Sequence, residues 1–136
     1  MTRTKHLKVM VDEDLLDPDI VDALHKIGSV DIKTTFECNL ASGTKDHILV
    51  AATEKKRRLL LTANYRNIHE RQYEPCGHGG IILIKHPRPT AQMVYARMKA
   101  FCESGKRSEA KRHVTYLRSD RFTIHKLHDE IVEERY

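Results

Sequence analysis

The chain has 136 residues, 40% hydrophobic and 32% charged, with 24 Lys and Arg against 19 Asp and Glu. That length is enough for one domain around one core. No apolar run is long enough to cross a bilayer, and "MTRTKHLKVM" lacks the apolar block of a signal peptide, so a soluble cytoplasmic protein with no membrane partner is expected.

The three cysteines, Cys38, Cys76 and Cys102, are odd in number and form no CxxC pair. A reduced compartment suits them. A zinc site built on Cys76 and His78 would need a distant second pair of ligands, and the sequence offers no second knuckle.

In chain order, Leu7–Asp12 predicts a buried strand that ends in three carboxylates, Asp12, Glu13 and Asp14. Pro18 opens a helix with Ile20, Val21, Leu24 and Ile27 at helical spacing, and Gly28 stops it. "SVDIKTT" predicts a second strand. After the turn "NLASGT" a second helix follows, with Ile48, Leu49 and Ala52 on its apolar face. "RRLLLT" and "GGIILIK" are the third and fourth strands. Pro87 and Pro89 precede a helix containing Ala91, Val94, Tyr95 and Met98.

Gly105 then separates that helix from a short basic helix expected to end near Leu117. "RFTIHKL" alternates in period two and predicts a fifth strand at an edge. Residues 1–128 make the domain, and 129–136 are expected as a loose charged tail. Alternating strands and helices, with central strands apolar on both faces, predict a three-layer α/β/α sandwich around a mainly parallel sheet.

The acids matter because open parallel sheets gather functional groups beyond the carboxyl ends of their strands. Asp12 ends the first strand, Asp46 begins the helix after the second, and Thr62, Asn64 and Asn67 follow the third. Oxygen donors from separate segments suit a hard divalent cation, Mg²⁺ or Mn²⁺, which offsets their mutual repulsion and activates water at a phosphoryl group. Ordinary structural roles are open to acids in this region as well. Asp14 or Asp17 can cap the helix at Pro18, and Asp46 suits a helix first turn.

"VMVDEDL", "ASGTKDHILVAATEKKRRLLLTANYRNI" and "HGGIILIK" together resemble the small single-domain PIN-like nucleases, relatives of VapC-type toxins. The resemblance covers about the first two-thirds of the chain. It implies a Mg²⁺- or Mn²⁺-dependent ribonuclease acting on RNA, with a cognate antitoxin and a homodimer as further partners. Asp12 and Asp46 match acidic metal-site positions, and Asp14 a neighbouring polar one. Asn64 and Asn67 stand where the family carries acids, so the implied ligand set is Asp12, Asp14, Asp46, Asn64 and Asn67, with Asp12, Asp46 and Asn64 as the catalytic group. An amide oxygen brings no charge, which weakens such a site.

Two other classes compete. A receiver-like domain would use the acids after the first strand with Thr62 and Lys85, but no aspartate nucleophile ends the intervening strand. A PIN-like module without catalysis would bind RNA or a protein through its basic surface. Arg97, Lys99, Lys106, Arg107, Lys111, Arg112 and Arg118 are set against only Glu103 and Glu109. That segment is either a solvated face or a phosphate-binding rim, for which Arg66, Lys106, Arg107, Lys111 and Arg112 are the candidates. Lys55–Arg58 has the character of ordinary charge at a helix carboxyl end. No serine or cysteine elbow and no HExxH pair is present.

Overall fold

A computed structural model describes residues 7–63, 78–127 and 130–136. Its centre is a seven-stranded mixed sheet in the order β2-β1-β3-β4-β5-β6-β7. The strands are β1 (Leu7–Val11), β2 (Val30–Thr34), β3 (Leu59–Thr62), β4 (Ile81–Ile84), β5 (Val114–Leu117), β6 (Arg121–His125) and β7 (Ile131–Arg135). The first five run parallel, and β6 and β7 join them antiparallel. Among the described residues three α-helices flank the sheet: α1 (Pro18–His25), α2 (Asp46–Lys56) and α3 (Ala91–Glu103).

Strand parity divides the core in two. Val9, Leu61, Ile82 and Ile84 pack with Leu24 of α1 and Val94, Met98 and Phe101 of α3. Met10, Leu60, Ile81 and Leu83 pack with Leu49, Val50 and Ala52 of α2. Successive strand side chains point to opposite faces. The two clusters therefore put α1 and α3 on one face and α2 on the other.

Local chemistry sets the helix starts. Asp17 accepts the Asp19 amide at 2.8 Å with Pro18 in the first turn of α1. Thr90 accepts the Met93 amide at 3.2 Å to open α3. Of the two capping candidates for α1, Asp17 fills the role.

The carboxyl-terminal third departs from expectation in two places. Where a basic helix to Leu117 is expected, a 3-10 turn at Arg107–Ala110 leads into β5, whose four residues are all buried. The flanking charges hide a four-residue strand of Val, Thr, Tyr and Leu, types that fit a sheet enclosed on both sides. The expected loose tail supplies β7, which pairs with β6 residue by residue. Val132 packs on the core and Glu133 takes Arg121 at 3.0 Å. "RFTIHKL" is thus an inner strand rather than an edge. In α2, Ile48 faces outward at 46% exposure, and Leu49, Val50, Ala52 and Thr53 supply the buried side.

Candidate functional site

Strand order reverses at β1, which has β2 on one side and β3 on the other. Such a switch point opens a crevice at the carboxyl ends of the strands. Asp12 follows β1 directly, Thr62 ends β3, and both are buried, at 5% and 0% exposure. The Thr62 hydroxyl donates to Asp12 Oδ2 at 2.9 Å, and the Glu13 amide donates to Asp12 Oδ1 at 2.8 Å. Asp12 thereby caps a 3-10 turn, Glu13–Leu15, that carries the chain off the sheet.

That turn points Asp14 back toward β3. Its Oδ2 accepts the Ala63 amide at 3.1 Å and lies 3.3 Å from Thr62 Oγ1. Asp14 as a residue is exposed, yet its carboxylate stands against the strand ends beside a second carboxylate. Lost hydration, and then the Asp12 charge, push its pKa up to about 6, while the Ala63 amide and Thr62 hydroxyl pull the other way.

Glu13 does something different. Its Oε2 accepts the Ser42 hydroxyl and its Oε1 the Gly43 amide, each at 2.9 Å. It ties the loop that leads into α2 to the same rim. Asp46 is described in its backbone alone. Asn64, Arg66 and Asn67 lie outside the described residues, as does Cys76.

The basic candidates do not join this rim. Lys106, Arg107, Lys111 and Arg112 precede β5, so they sit at the amino ends of the strands, where Arg112 N donates to Gly79 O at 2.9 Å. Lys106 pairs with Glu109 at 3.5 Å, both half-buried, and the exposed Arg112 with Glu54 at 3.5 Å. Two other arginines turn inward. Arg97 donates to the backbone oxygens of Leu117 and Lys85, at 3.0 and 3.4 Å, and so ties the ends of β4 and β5. Arg58 donates to Val9 O and Asp31 O and pairs with the Asp31 carboxylate at 3.3 Å. Helical spacing signals the first, since Arg97 falls between Val94 and Phe101 on the buried face of α3. No linear pattern signals the second.

At the carboxyl ends of β4 and β5, Lys85 and Arg118 both approach the Tyr116 ring, at 5.6 and 5.4 Å from its centroid. The carboxyl rim therefore carries acids over β1 and β3, and cations over β4 and β5.

Asp12 and Asp14 offer hard oxygen donors at adjacent strand ends. Two carboxylates plus waters is a usual Mg²⁺ arrangement. The raised pKa of Asp14 reflects lost hydration first and the Asp12 charge second, and a cation would offset the second. Among the described residues no group of three or more His, Cys, Asp or Glu is gathered to hold an ion, so this pair is at most part of a ligand set. Also among the described residues, no helix is long and apolar enough to cross a membrane. No protein-family model, curated protein or solved structure matches the chain.

Proposed function

We propose that this protein is a Mg²⁺- or Mn²⁺-dependent ribonuclease of PIN-like architecture, with its site at the β1/β3 switch point. The observation that supports the reading is the pairing of the buried Asp12 with Asp14 around Thr62 at the carboxyl ends of two adjacent strands. Asp12 and Asp14 would hold the cation, with Asp46 and Asn64 completing the group and Asn67 beside it. A divalent ion held there would supply a water of lowered pKa and positive charge for a phosphoryl oxygen.

The chain's own residues do the positioning. Thr62 and the Glu13 amide fix the Asp12 carboxylate, the Ala63 amide orients Asp14, and Glu13 holds the α2 entry loop alongside. Lys85 and Arg118 supply positive charge on the same rim for a polyanionic substrate. A toxin paired with an antitoxin, and a homodimer, belong to the same proposal.

A second reading has its own observation. Thr62, Ala63, Ser42 and Gly43 already satisfy the three acids by hydrogen bonds, so their cost is partly offset with no ion bound. On that reading the domain binds RNA or a protein without cutting. Titration with Mn²⁺, followed by calorimetry or electron spin resonance, separates the two. The nuclease reading expects one saturable site that Asp12→Asn abolishes; no saturable binding leaves the binding module.

A further inference from the structure

The α2 face of the sheet is only partly covered. The apolar cluster under α2 includes residues of β1, β3, β4 and β5, and none from β2. Beyond the helix, over β1 and β2, lies a cleft of about 300 Å³. Lys8 of β1 and Lys33 of β2 rise from its floor, and Lys56 and Arg58 enter from the end of α2. Glu37 also lines it, with Cys38 and Asn39 closing the side toward the carboxyl rim.

The charges there are not balanced. Arg58 is engaged by Asp31 at 3.3 Å. Glu37 is the one carboxylate among the described residues lining the cleft, and its Oε1 accepts the Thr34 amide at 3.1 Å. Lys8, Lys33 and Lys56 are all exposed, and no ion pair is formed by any of them among the described residues. Exposed lysines are ordinary one at a time. Three around one concavity repel each other and concentrate a positive potential.

We propose that this cleft binds the phosphate backbone of a single-stranded nucleic acid. Lys8 pairs in register with Asp31, and Lys33 with Met10, so the two lysines share a face and stand two residues apart along adjacent strands. That separation is roughly 7 Å along the strand direction, a distance neighbouring phosphates of one strand can bridge. Lysine suits this role as a mobile point charge. Among the described residues no aromatic side chain lines the cleft, so its lysines predict contact with the phosphate backbone rather than with the bases. The site is separate from the acids at the switch point and does not depend on a metal there.

The test is fluorescence anisotropy with a labelled oligouridylate in EDTA, across a salt series, for the full chain and for the triple variant Lys8→Gln, Lys33→Gln, Lys56→Gln. All three positions are exposed, and thermal melting checks that the variant stays folded. The expected result is about a tenfold loss of affinity at low salt. The slope of log K against log salt should flatten by about 2, from three lost phosphate contacts. Polyglutamate, an anion without phosphate, should compete poorly at equal charge. An unchanged affinity and slope in the variant overturns the proposal, as does a wild-type chain that does not bind. Equal displacement by polyglutamate also overturns it, by showing a general preference for acidic chains. Because EDTA removes divalent ions, none of these outcomes bears on the metal reading.

Discussion

Thr62 gives its hydroxyl proton to Asp12 at 2.9 Å across fifty positions of sequence. The bond joins the ends of two neighbouring parallel strands at the place where the strand order reverses. Asp14 lies 3.3 Å from the same oxygen. One hydroxyl thus stands within hydrogen-bond reach of two carboxylates, closer to Asp12 than to Asp14.

Thr62→Val keeps the shape and removes that donor. With Asp12 buried, the variant should lose about 1–3 kcal/mol in urea denaturation. If the two carboxylates can share a cation, Mn²⁺ should raise the midpoint of the variant more than that of wild type. An equal response in both chains would separate Thr62 from the cation site.

Gly79 is fixed by close approach rather than by backbone angle. Its amide donates to Thr53 Oγ1 at 2.8 Å, and a Cβ added there would lie 2.5 Å from Thr53 O. Backbone atoms cannot turn aside as a side-chain tip can. Gly79→Ala should therefore cost about 3 kcal/mol, by shifting the start of β4 from the end of α2. A midpoint within error of wild type would contradict that contact.

The pattern of residues disclosed some of this and hid the rest. The parallel core was legible because Leu59–Thr62 and Ile81–Ile84 are continuously apolar, as strands covered on both faces must be. The rim position of Asp12 followed from its place after such a strand. β5 was not legible, since four residues between basic flanks carry too little periodicity to separate strand from helix. β7 was hidden by its charges, because an edge strand with one solvated face alternates in burial and reads as polar. The work of Glu13 was invisible for another reason. Its partners Ser42 and Gly43 lie 29 and 30 positions away, and nothing local points to them.

His78 gives a pH dependence remote from the acids. It is 1% exposed, and neither ring nitrogen has a hydrogen-bond partner among the described residues. Burial, then the neighbouring His113 and Arg112, depress its pKa from 6.5 to about 4, against a smaller opposite pull from Glu54. The unfolded chain therefore takes up a proton near pH 6.5, and the folded chain only near 4. Stability should be full above pH 6.5 and fall as pH drops toward 4, by on the order of 3 kcal/mol from this group. Thermal melts from pH 7 to 4.5 should show that decline, and His78→Leu should flatten it. A variant with the wild-type slope would assign the decline elsewhere.

If the segment before β5 forms the proposed RNA rim, its own ion pairs bound what it can contribute. Lys106 and Arg112 already face Glu109 and Glu54, whereas Arg107 and Lys111 form no ion pair among the described residues. Neutralising all four should weaken RNA binding across sequences, and most of the change in salt slope should remain when only Arg107 and Lys111 are altered. Unchanged binding would make this segment an ordinary solvated face.

The central claim is that Asp12 and its neighbours at the switch point form a metal-dependent ribonuclease site. The direct measurement is cleavage of a single-stranded RNA with and without Mn²⁺, by wild type and by Asp12→Asn. The amide keeps its oxygen for the Glu13 N–H and turns its NH2 to the Thr62 oxygen, whose own proton then serves Asp14; with the repulsion relieved, the variant should stay folded. We expect slow cleavage by wild type that requires Mn²⁺ and disappears in Asp12→Asn. Equal cleavage by a folded Asp12→Asn, or cleavage that persists in EDTA, would contradict the account.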